Sequence, residues 1–285
     1  MKSIKIGISL IAVIVSVTMI YFNIPVFGDT SDTTIVSANL TNRAPDVYAL
    51  STISAQDPTG GTTKTVVFNC SVQDLDGISD VSVVNATFYK TGETNRTDST
   101  CSAVETVNTT AKIYECSIDM QFYDATGEWN YQCYARDTSG LSDTMSSTFT
   151  YNSLESWTMT PTSIGFGAIY LGGTDIGATD DPITLTNKGN YDLSGEIKVT
   201  ALDLTGATNS SEYIPAGNFS VNIADAQGGD VLINNTAKTV TGTSLIKGES
   251  STEALYFYLE EVPSSGLSYQ VYNTVGLGQW TITTA

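Results

Sequence analysis

The residues best suited to chemistry lie in one short run, Asp74-Leu75-Asp76-Gly77-Ile78-Ser79-Asp80. Asp74, Asp76 and Asp80 offer carboxylate oxygens, the hard donors that calcium prefers. Asp137, in the loop Ala135-Arg136-Asp137-Thr138-Ser139-Gly140, is placed to join them from the same end of a sandwich. The run is not an EF-hand: its Gly is fourth instead of sixth, and Asn85 holds the twelfth position. The same residues also read as an Asp-Gly turn closing two strands. The sequence leaves both readings open, so calcium is the one cofactor it suggests.

Other chemistries find few residues to carry them. The 285-residue chain has no histidine, which removes Ser-His-Asp and Cys-His machinery and imidazole metal ligands. No two of its four cysteines are spaced as C-x-x-C, so a thiolate metal site is not expected. Glu260 and Glu261 are adjacent on an expected strand and point to opposite faces, so they cannot flank one glycosidic bond. A Gly-rich phosphate loop leading into a helix is absent. The expectation is a protein that is not an enzyme. Tyr256 and Tyr258 share one strand face and are candidates for stacking on sugar rings. The alternative is that Phe257 is core and the tyrosines half-cover the sandwich edge.

Charge bounds the partners. Twelve Lys+Arg against 30 Asp+Glu give −18, which repels nucleic acid. Only 15% of residues are charged, so much of the hydrophilic surface must come from the 30 Ser and 42 Thr. Eight Asn-x-Ser/Thr sequons, at Asn39, Asn69, Asn85, Asn95, Asn108, Asn209, Asn218 and Asn234, are candidate glycosylation sites.

The elements that position these residues emerge from periodicity. Residues 1–28 have a basic start at Lys2 and Lys5, an apolar stretch from Ile6 to Phe27 and a small residue, Gly28. This is the layout of a secretory signal peptide. An uncleaved membrane anchor through residues 6–27 is the second reading. A pilin-type leader cut near Gly7 is a third, although Ile6 stands where its basic residue belongs. The first two readings export everything beyond Gly28, and the third leaves an apolar assembly helix on the chain. Residues 29–43 are polar and Thr-rich and read as a flexible stalk. Beyond them the pattern alternates with a period of two, as in Val66, Phe68, Cys70, Val72 and in Trp129, Tyr131, Cys133, Ala135. That is the mark of half-buried strands. The expected fold class is all-β, with two tandem antiparallel β-sandwich domains at 44–152 and 153–285.

All four cysteines fall in the first domain, and four allow three pairings. A hairpin turning at Asn108-Thr109 sets Cys101 opposite Cys116 and leaves Cys70 for Cys133. An inward Cys70, and Tyr131 two residues before Cys133, resemble the immunoglobulin superfamily, with its inter-sheet disulfide and tyrosine corner. A tryptophan is missing from the third strand, Ser82 to Tyr89, and Trp129 is the candidate to replace it.

In the second domain Ile164-Gly165-Phe166-Gly167 is expected to open a strand ending at Gly172-Gly173. Thr186-Asn187-Lys188-Gly189-Asn190 forms a turn, and Val262-Pro263-Ser264-Ser265-Gly266 leads to Tyr269, Tyr272 and a last strand, Gln279 to Thr284. Together these resemble the Ig-like modules of archaeal and bacterial secreted or cell-surface proteins, although Gln270 and Val271 stand where a glycine belongs. The resemblance implies stalks, adhesins or filament subunits. Expected partners are therefore other envelope or surface proteins, further copies of the chain, or glycans, at an extracellular or cell-surface location.

Overall fold

Val66, Phe68, Cys70 and Val72 face inward from one strand, and Trp129, Tyr131, Cys133 and Ala135 from another; all are buried. The period of two thus does what the sequence predicts, and it builds the first of two hydrophobic cores. A computed structural model describes residues 35–284. The expected signal or anchor segment, 1–28, lies outside them, as does the stalk up to residue 34. No helix among the described residues is long and apolar enough to cross a membrane. The chain divides into 1–41 and a compact unit, 42–285.

The strands of the first core are β1 (Asp46–Leu50), β2 (Lys64–Gln73), β3 (Val81–Tyr89), β4 (Arg96–Asp98), β5 (Ser102–Asn108), β6 (Ala111–Met120), β7 (Gly127–Asp137) and β8 (Ser142–Tyr151). They form two four-stranded antiparallel sheets, β1-β2-β6-β5 and β4-β3-β7-β8. The sheets meet in an aromatic cluster: Phe68 lies 5.0 Å from Tyr131, and Phe88 lies 4.9 Å from Phe149, centroid to centroid. Trp129 is fully buried in the same core, and its Nε1–H donates to the Ala125 carbonyl at 2.7 Å.

Cys70 on β2 and Cys133 on β7 are bonded across the two sheets, and Cys101 is bonded to Cys116. The hairpin that aligns the second pair is less regular than simple counting assumes. Asn108 pairs with Ala111, so the turn is at Thr109-Thr110, one residue later than expected. Two register shifts in β5 take up the difference and bring Ser102 opposite Glu115, next to the bond. With sequence separations of 63 and 15, chain entropy makes the bridges worth about 4 and about 3 kcal/mol. The Tyr131 hydroxyl donates to the Ser51 carbonyl at 3.0 Å, just past β1 and not in the turn before β7, which departs from an immunoglobulin tyrosine corner.

The second core is built from β9 (Trp157–Thr160), β10 (Thr174–Gly177), β11 (Ile183–Asn187), β12 (Lys198–Thr200), β13 (Leu204–Gly206), β14 (Tyr213–Ile214), β15 (Phe219–Asn222), β16 (Asp230–Val231), β17 (Lys238–Thr239), β18 (Thr252–Glu261), β19 (Tyr272–Asn273) and β20 (Thr281–Thr283). β18 is central: β15 pairs along one edge, while β11 and β10 share the other in succession. Two three-stranded sheets, β17-β12-β20 and β14-β13-β19, complete it. The strand expected from Ile164 to Gly173 is absent. Ile164, Phe166 and Ile169 pack half-buried against the core without ladder pairing. Gly167 (φ 61°) and Gly172 (φ 71°) take left-handed turns there, which a continuous strand excludes. The last strand is also shorter than expected, at Thr281–Thr283.

Between the two cores the Asn187-to-Asn190 turn is the joint. The Asn187 Nδ2 donates to the Tyr191 and Ile246 carbonyls, and its Oδ1 accepts from the Gly189 N–H. Asn190 reaches back to the first core's last loops, and Lys247 pairs with Glu93 at 2.8 Å.

Candidate metal centre

Two inward columns of side chains end in carboxylates. On β2 the buried series Cys70, Val72 continues to Asp74, and on β7 the series Cys133, Ala135 continues to Asp137. Each aspartate stands four residues beyond a cysteine of the same inter-sheet disulfide. With about 3.3 Å per residue, both arrive about 13 Å from the bridge at one end of the sandwich. The disulfide therefore sets the depth at which they meet. Asp80, just ahead of β3, is brought in by the pairing of Val81 with Asp137 and by the bond from the Thr138 N–H to the Asp80 carbonyl, 2.9 Å.

Asp74, Asp80 and Asp137 each place a carboxylate oxygen within 4.8 Å of the other two. Asp74 and Asp137 are both 1% exposed, and Asp80 is half-buried. Three like charges so close repel one another by about 3 kcal/mol per pair at the effective dielectric near a protein surface. None of the three is in an ion pair with a Lys or Arg among the described residues. Burial pushes the Asp74 carboxyl above its ordinary pKa, with the charges of Asp80, Asp76 and Asp137 adding to the rise.

The hydrogen bonds show what remains open. Asp137 Oδ1 accepts from the Leu141 N–H at 2.8 Å, and its Oδ2 from the Asn42 Nδ2 at 2.7 Å. The Asp80 Oδ1 accepts from the Thr138 hydroxyl. Asp74 Oδ1 accepts from the Asp76 N–H at 2.9 Å, but Asp74 Oδ2 is buried with no partner. A buried carboxylate oxygen without a donor is costly, and an oxygen-seeking cation is one remedy. An all-oxygen set suits calcium or magnesium and not softer metals.

Asp76, the fourth residue the sequence groups here, is not part of the cluster. It is exposed, and its Oδ2 accepts from the Arg43 N–H at 2.6 Å. Leu75 and Asp76 form a turn straight after Asp74, closed by the Gly77 N–H to the Asp74 carbonyl at 3.0 Å, so the alternation that carries Asp74 inward ends before Asp76. Asn42 is a participant the sequence does not reveal, being 95 residues from Asp137. Asn42 and Arg43 belong to the compact unit, so the expected stalk ends before them.

Tyr256 and Tyr258, the candidates for sugar stacking, are half-buried on the central strand β18. The Tyr258 hydroxyl donates to Asp225 Oδ1 at 2.5 Å, which holds its pKa up at about 12, and its ring lies against Gly177. Asp181, which the sequence does not single out, is raised to about 6 by burial; its Oδ2 accepts from the Phe257 N–H and its Oδ1 is orphaned.

Of the sequons, Asn39, Asn69, Asn95, Asn108, Asn209 and Asn234 are exposed, while Asn85 and Asn218 are half-buried. The amide nitrogens of Asn209, Asn218 and Asn234 already donate to Glu212, the Glu261 carbonyl and Asp203. Those of Asn69, Asn95 and Asn108 donate to nothing among the described residues.

A cleft of about 660 Å³ opens into the second core, walled by Met159, Ile164, Phe166, Leu204, Tyr272 and Trp280. No family model matches the chain, and a search of curated proteins also finds no match.

Proposed function

We propose that the chain is an exported, non-enzymatic scaffold of a cell surface, two Ig-like sandwiches acting as an adhesive or filament subunit. The observation that carries this reading is the pair of disulfides in the first core, one of them buried between the sheets. Such bonds persist in oxidising compartments and are rare in the cytosol. The apolar leader, the acidic Thr-rich surface and the accessible sequons agree with it.

Labelling intact cells with a membrane-impermeant lysine reagent tests the location. The reading predicts modification of partly exposed lysines such as Lys112 and Lys188, and protection until lysis contradicts it. Negative-stain microscopy of the cell surface then tests assembly, and recovery of the protein only as a soluble monomer in the medium removes the filament version.

The second reading is a secreted module that binds carbohydrate or an envelope partner. The 660 Å³ cleft favours it, since a cleft of that size, lined by both apolar and polar side chains, is one that small ligands fill. A glycan array comparing the wild type with Tyr272→Ala, which lines the cleft, and with Tyr256→Ala and Tyr258→Ala on β18 tests the carbohydrate version. Binding that ignores all of these substitutions removes the tyrosines from the site.

A further inference from the structure

We infer that Asp74, Asp80 and Asp137 bind one calcium ion, and that the ion clasps Asn42 and Arg43 to the end of the first sandwich. The convergence of three carboxylate oxygens within 4.8 Å is the first observation. The unpartnered Asp74 Oδ2, on a side chain that is 1% exposed, is the second and independent one. A buried oxygen without a donor, in a group of three carboxylates with no cationic side chain in contact among the described residues, calls for a positive charge.

The donor arrangement favours calcium over magnesium. Calcium accepts irregular coordination completed by water and carbonyl oxygens, which two loops and a strand end can supply, whereas magnesium demands a near-ideal octahedron.

The clasp arises from the surroundings of the cluster. The Asn42 amide nitrogen faces Asp137 Oδ2 at 2.7 Å. Turning the amide over presents its oxygen to the same place, so a donor to a carboxylate becomes a ligand for the ion beside it. The next residue is held by the same loop, through the Arg43 N–H to Asp76 Oδ2 at 2.6 Å. Removing the ion restores the repulsion among the three carboxylates and loosens both attachments. The point where the chain enters the first sandwich is therefore held more firmly when calcium is present than when it is not. The inference does not depend on the export reading, because both of its tests are made on purified protein.

The first test is calorimetric titration of the full, disulfide-bonded chain with calcium chloride after chelator treatment. One site is expected, with a dissociation constant in the range of about 0.1–1 mM found for extracellular modules. Asp80→Asn and Asp137→Asn each weaken it at least about tenfold, while Glu105→Gln on exposed β5 leaves it unchanged. No binding up to several times that range overturns the site, as does binding that survives both substitutions or magnesium binding of equal strength. Asp80→Asn, at a half-buried position, keeps the test valid if the variants at Asp74 or Asp137 do not fold.

The second test reads the clasp by tryptic cleavage after Arg43, with fragment masses as the readout. Calcium at about ten times its dissociation constant slows this cut about tenfold. Asn42→Ala removes the protection and still binds calcium. Cleavage at Arg43 that calcium does not change, or protection that Asn42→Ala retains, overturns the clasp whatever the titration gives.

Discussion

Asn190→Ala severs the main polar joint between the two cores. Asn190 is 3% exposed and saturated: its Oδ1 accepts from the Leu154 N–H at 2.6 Å, and its Nδ2 donates to the Asn152 carbonyl at 2.9 Å and the Asp124 carbonyl at 3.1 Å. Alanine removes all three bonds and leaves a donor and two acceptors behind. Each bond contributes about 1 kcal/mol net, and an orphaned buried group costs about 1–3 kcal/mol. Water can reach part of the gap, so the expected loss is about 3 kcal/mol. It falls on the coupling between cores, not on either interior. Urea unfolding monitored by tryptophan fluorescence reads it, because Trp129 reports the first core and Trp157 and Trp280 pack with the second. One transition in the wild type is expected to become two in the variant, the lower belonging to the second core, which has no disulfide. A loss below about 0.5 kcal/mol with a single transition means that Asn190 is not the joint.

Three further outcomes are expected. Asp181, raised to about 6 in the fold from an ordinary value of 3.8, is penalised when charged. Its contribution to stability is therefore greatest below the unfolded pKa, falls as pH rises through the folded value, and is flat above it. Asp181→Asn should thus stabilise at about pH 7.5 by about 1–2 kcal/mol after allowing for solvent screening, and hardly at all near pH 4, by urea midpoints at the two pH values. Replacing Cys101 and Cys116 together by alanine should cost about 3 kcal/mol in denaturant unfolding, and an unchanged midpoint contradicts the role of that bridge in closing the β5–β6 hairpin. Glycopeptide mapping should find Asn69, Asn95 and Asn108 occupied ahead of Asn209, Asn218 and Asn234, whose nitrogens are engaged; the reverse order contradicts the accessibility argument.

Much of the fold is legible in the residues, and the failures have physical causes. The columns through Cys70 and Cys133 can be read because period-two alternation is local, and extending each by two residues leads to Asp74 and Asp137. Closeness in sequence groups Asp76 with them wrongly, because the turn at Leu75-Asp76 ends the strand geometry straight after Asp74. The Cys101–Cys116 hairpin has its turn one residue later than counting gives, and two bulges absorb the difference. Ile164 to Gly173 reads as a strand because its apolar spacing is right, but burial there comes from edge packing, not from a ladder. Asn42 is invisible in the sequence, as is the ion pair between Arg96 and the buried Asp124, since nothing local ties partners 95 and 28 residues apart.

Intact mass of the protein recovered from its native host is the deciding measurement. A chain taken from the cell surface, with its mass lowered by the hydrogens lost to both disulfides and raised by sugar, is expected. A reduced, sugar-free chain recovered from the cytoplasm contradicts an exported scaffold.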